Sequence, residues 1–259
     1  MVYLKAPQGI EGQQFNGGSQ ARRVAMVAGS TGALGRVSAE ALAVSGCKIW
    51  CGWNKSGETA SDLAEKIGGS SIRLSSDMSQ DGLLDVFQTV YQTDGRLDIV
   101  VNASGLNVEG PAAGLDYQDW RLVFEVNLDF AFRLTQAAIR IMLPQAKGTV
   151  IHLSSSAAHL GGRGQLNYAS SKAALERMVE GFAREVGRKG VTVNAVSPGL
   201  IASPMTARIA RQYEDRILER ISMGRLGKPE EVASVVSFLA GDGASYINGA
   251  VIAVDGGLW

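Results

Sequence analysis

From Arg22 onward, short β-branched apolar runs alternate with longer stretches in which apolar positions recur every three or four residues. The short runs predict strands at Val24–Ala28, Lys48–Trp53, Ser71–Leu74, Leu97–Val101, Thr149–Leu153, Val191–Val196 and Ala250–Val254. The longer ones predict helices at Gly32–Ser45, Glu58–Ile67, Asp81–Gln92, Asn167–Arg188 and Pro229–Ala240, with one long helical segment from Asp116 to Leu143 stopped by Pro144. Leu97–Val101 shows little polar alternation, the pattern of a strand buried on both faces. Repeated strand–helix–strand units with short connections predict an α/β fold, a single-domain doubly wound parallel sheet with helices on both faces. Residues 1–20 are rich in Gly and Gln without periodicity and read as a flexible N-terminal extension, leaving 21–259 as the folded domain. One stretch breaks the regularity. Between Pro198 and Leu226 a polar amphipathic pattern carries Arg208, Arg211, Glu214, Asp215, Arg216, Glu219 and Arg220, and reads as a mobile lid.

Composition narrows the function classes. With 259 residues, 46% of them hydrophobic, the chain can build one large core. Lys+Arg and Asp+Glu balance at 25 each, so no global field draws the protein to nucleic acid or anionic lipid, and a small-molecule substrate is expected. The apolar stretches are too short and too interrupted for a membrane span. The N-terminus carries only Lys5 and no apolar core, so no signal peptide is expected; Arg22-Arg23 reads as the flank of a buried strand instead of a twin-arginine signal. Cys47 and Cys51 form no disulfide framework, which fits a cytoplasmic protein. They share parity on the second strand and read as small buried side chains. No metal is expected, since the other soft ligands, His152 and His159, lie far along the chain.

The first strand runs into Gly29-Ser30-Thr31-Gly32-Ala33-Leu34-Gly35, and a helix follows at once. A dinucleotide's pyrophosphate needs backbone N–H groups at close range and the positive end of a helix, and side chains there would block it. A carboxylate at the end of the second strand would accept hydrogen bonds from the ribose of NAD. Here that strand ends in Trp53-Asn54-Lys55-Ser56, and Lys55 suits a 2′-phosphate, so NADP(H) is the expected cofactor. Lys55 as a plain solvated loop residue is the competing reading. Trp53 either lies against the adenine or caps the strand.

Tyr168 and Lys172 are four residues apart on one predicted helix, so they share a face, and Ser155 lies upstream. A free phenol titrates near pH 10, too high for efficient proton exchange; a neighbouring ammonium and an oxidised nicotinamide both favour the phenolate. A serine hydroxyl reaching the same carbonyl stabilises its oxygen as charge develops. The chemistry that follows is hydride to carbon and a proton from Tyr168 to oxygen.

These motifs, in this order, resemble the short-chain dehydrogenase/reductase family, and within it the 3-oxoacyl-(acyl-carrier-protein) reductase-like group, from about Arg22 to the C-terminus. The resemblance implies a Rossmann-type catalytic domain that forms homotetramers, with Ser155, Tyr168 and Lys172 as the catalytic triad and Asn127 as a fourth residue holding a proton-relay water. It also implies that Asp77, followed by Met78, binds adenine, that Asn102-Ala103-Ser104-Gly105 lines the cofactor, and that Pro198, Gly199 and Ile201 close over the nicotinamide. Arg225-Leu226-Gly227, Pro229-Glu230-Glu231-Val232 and Asp255-Gly256-Gly257 fit its C-terminal pattern. The chain departs from that pattern at Ala28, Ala33 and Ala103. The family's Thr and second Asn are both absent, so neither is orphaned by the loss of the other.

The expected function is an NADP(H)-dependent ketoreductase acting on a 3-oxoacyl thioester, free or carried on acyl carrier protein. The alternatives are an alcohol, sugar or steroid dehydrogenase, a polyketide-type ketoreductase, and an NADP-binding regulator without turnover. A carrier protein would need a basic patch; Arg188 and Lys189 match one half of it and Lys147 stands near the other. His159 lies in the Ser155–Tyr168 loop as a possible substrate contact, His152 reads as a core residue, and Tyr117, Trp120, Phe124, Phe130 and Phe132 read as core or subunit packing.

Overall fold

The computed structural model of the protein describes residues 22–203 and 218–258. Most of the expected lid, including Arg208, Arg211, Glu214, Asp215 and Arg216, lies outside the described residues, as does the N-terminal extension.

Seven parallel strands form one sheet: β1 (Val24–Ala28), β2 (Lys48–Trp53), β3 (Ser70–Arg73), β4 (Ile99–Asn102), β5 (Gly148–Leu153), β6 (Val191–Pro198) and β7 (Val251–Val254). Their spatial order is β3-β2-β1-β4-β5-β6-β7. The connections reverse direction between β1 and β4, and in such sheets the carboxyl ends of the strands at that point are the usual place for a ligand. Both faces are covered. Val24, Met26, Val100 and Val150 point to α3 (Gln80–Asp94), α5 (Phe130–Gln145) and α7 (Leu166–Val186). Ala25, Val27, Ile99 and Val101 point to α1 (Ala33–Val44), α2 (Gly57–Lys66) and α8 (Pro229–Leu239). Both parities are therefore buried, which is why the strands show no polar alternation. Phe87 and Phe130 are fully buried in the first cluster; removing either ring would cost about 3–5 kcal/mol.

The long segment after Asp116 is not one uniform helix. It comprises α4 (Tyr117–Phe124), a π-helical turn at Glu125–Asp129 and α5. Pro144 does not stop α5, which runs on to Gln145 and closes at Ala146 in the left-handed conformation (φ 50°). A proline in the final turn forfeits a single backbone bond, and Gln145 repays it. Its carboxamide accepts from Leu97 N (2.9 Å) and donates to Leu97 O (2.7 Å), fastening the helix end to the approach of β4. A short helix, α6 (Ala157–Leu160), also stands in the Ser155–Tyr168 loop, which has no helical periodicity in sequence.

Candidate active site

The turn after β1 is shaped first by its own backbone. Gly29 has φ +72°, and a Cβ on it would lie 2.9 Å from Ala103 C and Ser104 N. A Cβ on Gly35 would stand 2.1 Å from Gly29 O. These two glycines are needed by the chain itself. Gly32 differs: it is exposed, and an added Cβ would find only Gly29 O, at 3.3 Å. It starts α1 with no side-chain cap and no acidic residue in the first turn. The leading N–H groups of α1 are thus free of intrahelical partners and open at the front, which fits a pyrophosphate. Thr31 and Leu34 are half-buried beside it. Ser30 is turned inward, fully buried, with its hydroxyl donating to Gly52 O (3.0 Å).

At the end of β2, Asn54 and Lys55 are exposed, and Asn54 Oδ1 accepts from Ser75 Oγ (2.6 Å). The Trp53 ring lies against Gly57 at the start of α2. Asp77 is exposed and paired bidentately with Arg73 at 2.9 Å. The nearby Ser75 hydroxyl, and then the Arg73 guanidinium, hold its carboxyl below the usual range. Arg133 of α5 donates to Ser76 O (2.7 Å) and to Met78 O, fixing this turn from behind. Sequence reasoning missed Arg133 because its target is 55 residues away.

The Asn102–Gly105 turn is steadied without the family's Thr and second Asn. Ala103 N donates to Ala28 O (3.0 Å), and Asn102 Oδ1 accepts from Ser104 N (3.1 Å). Asn102 Nδ2 meets His152 Nδ1 (3.2 Å), and His152 Nε2 meets Thr135 Oγ1 (2.9 Å), whose proton goes to Ala131 O (2.7 Å). Thr135 must then accept from Nε2–H, so Nδ1 is the acceptor and the ring is neutral. Burial, and then the Lys172 charge, push this imidazole down to about 3. His152 is a satisfied core residue, as its position in a buried strand suggested, and it also holds the Asn102–Gly105 turn.

Three consecutive residues at the end of β5 meet three residues stacked at four-residue intervals on α7. Leu153 O accepts from Lys172 Nζ (2.8 Å), Ser154 Oγ donates to Glu176 Oε1 (2.6 Å), and the Ser155 hydroxyl is near enough to the Tyr168 phenol to pull its pKa down. This register assigns the middle serine to Tyr168 and its neighbour to Glu176. The Lys172 ammonium lies 5.7 Å from the centroid of the Tyr168 ring. Burial pulls Lys172 down to about 8, with the Glu176 charge opposing it. Burial also pushes the Tyr168 phenol up, while the nearby Ser155 hydroxyl pulls it down. Desolvation wins, so the phenol stands above its ordinary value and not below it as expected.

Asn127 stands in the π-helical turn, whose extra residue rotates it inward to 1% exposure. Its Oδ1 accepts from Leu106 N (2.7 Å), and its Nδ2 donates to Leu106 O and Ser171 Oγ (both 2.9 Å). The side chain therefore clamps the loop after Gly105. A Cβ on Gly105 would stand 3.5 Å from Lys172 Nζ and 3.7 Å from Asn127 Oδ1, so the loop, Asn127 and Lys172 converge. Pro198 ends β6, with its carbonyl accepting from Ser156 N (2.8 Å). Gly199 abuts Asp255, where a Cβ would meet Cα at 2.7 Å, and buried Ile201 pairs with Gly227. Arg225 grips Glu231 at 2.7–2.8 Å and pulls its carboxyl down to about 2, making the C-terminal motif a clamp.

The remaining candidates sort themselves. His159 Nε2 lies 3.0 Å from Glu176 Oε2, so its partner is a carboxylate of the protein. Cys47 and Cys51 are free and buried among α1 and α2 side chains, and burial raises both thiols, Cys51 to about 11. Phe130 is core, Trp120 stacks on Phe124 at 4.6 Å, and Tyr117 and Phe132 are exposed.

A site of this construction belongs to a family. Residues 28–259 match the family model described as enoyl-(acyl carrier protein) reductase, and the chain is a member of the short-chain dehydrogenase/reductase family, oxidoreductases that act on CH–OH groups with a nicotinamide cofactor. It is similar to the 3-oxoacyl-(acyl-carrier-protein) reductase FabG of Thermotoga maritima, with 34% identity covering 91% of this chain and 97% of that protein. The FabG of Aquifex aeolicus is 36% identical over 92% and 97%, and that of Escherichia coli 33% over 92% and 97%. Among solved structures, the one titled "Crystal structure of gox2181" superposes with a TM-score of 0.87 at 31% identity, covering 91% of this chain and 95% of that one. The seven-stranded parallel sheet is thus Rossmann-like. No helix among the described residues is long and apolar enough to cross a membrane.

Proposed function

We propose that the protein is an NADP(H)-dependent ketoreductase acting on a 3-oxoacyl thioester, with Tyr168, Ser155, Lys172 and Asn127 as its catalytic residues. The observation that carries this reading is the triple register between the end of β5 and α7, which brings two hydroxyls, Ser155 and Tyr168, together in front of a buried ammonium. Two donors converging on one oxygen suit a carbonyl. A bound reduced nicotinamide would supply the hydride, held by the backbone of Gly29–Gly35, the Asn102–Gly105 turn and the Pro198–Ile201 segment. Ser155 then orients the carbonyl oxygen, Tyr168 donates its proton to that oxygen, and Lys172 stabilises the phenolate left behind. Asn127 fixes the loop between them.

The NADP preference rests on the exposed Lys55 and the absence of a carboxylate among Trp53–Ser56. A 2′-phosphate there gains a cation and meets no repulsion. The thioester class rests on the names of the similar reductases, and a carrier-bound substrate on exposed Arg188, Lys189 and Lys147. This patch is small, so carrier affinity is modest and falls with added salt. A homotetramer working in the cytoplasm completes the proposal, with exposed Tyr117, Leu122 and Phe132 on α4 and α5 offering packing area. The test is NADPH and NADH oxidation, followed by absorbance, against acetoacetyl thioesters, simple ketones and quinones. NADPH-linked turnover of the thioester supports the reading, and turnover with NADH alone or with quinones alone overturns it. Carrier-protein titration at rising salt tests the tethered form.

A further inference from the structure

Resting on that reading of Tyr168 and Lys172, we infer that Glu176 is a positioning residue of the reaction, whose buried carboxylate keeps Lys172 charged and the phenol's proton in place, with His159 as its solvent-side partner. Glu176 belongs to none of the motifs that define the site. It is nevertheless the third member of the stripe Tyr168, Lys172, Glu176, one turn below the ammonium on the same face of α7. Its side chain is only 7% exposed, although carboxylates are almost never buried unless paired. Both oxygens are engaged: Oε1 accepts from Ser154 Oγ at 2.6 Å, and Oε2 faces His159 Nε2 at 3.0 Å.

A structural tie alone would need no charge at this depth. The charge acts on Lys172, which is buried and donates to Leu153 O. Desolvation disfavours the ammonium, and the Glu176 carboxylate opposes that loss. The titratable groups around the carboxylate are Lys172 and Tyr168 from its own helix and His159 from α6; His152 from β5 lies beyond the ammonium and stays neutral. His159 is 60% exposed and faces the carboxylate from the solvent side.

Removing a negative charge makes both members of the Tyr168–Lys172 pair release a proton more readily. The pair's first macroscopic titration therefore moves down whichever group carries it. For reduction, that step is the alkaline limb of the kcat/KM profile. Glu176→Gln is expected to move this limb down by about one pH unit, the size of effect one neighbouring opposite charge exerts. Glu176→Asp keeps the charge and is expected to hold the limb within about a few tenths of a unit of the parent. His159→Lys places a permanent cation at an exposed position that does not threaten folding, and is expected to lower the limb by less than Glu176→Gln does. The same displacement can be read without turnover, as the difference in alkaline tyrosinate absorbance between each protein and its Tyr168→Phe counterpart. That second readout separates this inference from the ketoreductase reading, which fails in the unsubstituted protein if no ketone is reduced. A limb unmoved in both Glu176→Gln and His159→Lys, with only kcat or Tm reduced, would overturn the positioning role.

Discussion

Lowering the pH from 7 to 5 should cost this protein about 2 kcal/mol of stability through His152 alone. The imidazole is wholly buried between Asn102 and Thr135, and its folded-state value is about 3. In the unfolded chain it titrates near 6.5. Its folded value is thus depressed, so its contribution is fully present above pH 6.5 and is lost as pH falls through the window down to about 3. Within that window the unfolded state binds one more proton than the native state, and stability falls by up to about 1.4 kcal/mol per pH unit. Between pH 7 and pH 5 the integrated loss is about 2 kcal/mol. Lys172, at about 8 when folded, stays protonated in both states over this range and adds nothing. The clamped Glu231, at about 2, loses its advantage only below about pH 5. Urea unfolding at the two pH values checks this, with His152→Gln as the reference. Glutamine can still offer an acceptor to Asn102 and a donor to Thr135 but does not titrate. The unsubstituted protein should lose about 2 kcal/mol more than the variant on going to pH 5. Equal losses would mean that the buried ring accepts a proton in the native state, and the assignment of a neutral hydrogen-bonded imidazole would be wrong.

Tyr168→Phe removes the proposed proton donor while leaving the glycine turn and Lys55 untouched, so ketone reduction should be lost with NADPH binding retained by fluorescence titration; unchanged turnover would refute the mechanism. Lys55→Glu puts a carboxylate at the exposed end of β2, and KM for NADPH should rise by at least about tenfold while that for NADH changes little, as initial-rate kinetics would show. Gly35→Ala forces a Cβ to 2.1 Å from Gly29 O, against backbone with nowhere to go. It should cost about 1–3 kcal/mol, lower Tm by several degrees, and weaken dinucleotide binding by displacing the α1 start.

Much of this protein is written in local spacing. The uninterrupted apolar runs at β1 and β4 announce strands covered on both faces, because a fully buried parallel strand has no polar side. Gly29, Gly32 and Gly35 announce a close backbone turn. Tyr168 and Lys172 share a face because the α-helix repeats every 3.6 residues. Each of these follows from geometry within one element, and each was readable from sequence alone. The ends of elements were less readable. Pro144 suggested that α5 stops at Leu143, but Gln145 binds Leu97, and a tertiary bond overrode the local signal.

Only packing could decide the rest. One extra residue in the turn at Glu125–Asp129 rotates Asn127 onto Leu106, and no periodicity reveals such a bulge beforehand. Sequence picked out Ser155 by its register with Tyr168, but only the packing showed that its neighbour Ser154 is taken by Glu176. Arg133 beneath the Asp77 turn, His152 behind Asn102 and His159 on Glu176 are likewise partnerships between distant segments. Sequence by itself determined the sheet, the glycine turn and the phenol–ammonium pair, since those obey repeats of one helix or one strand. Which charges surround that pair was decided only when β5, α6 and α7 packed together, because electrostatic partners are set by distance in space and by burial.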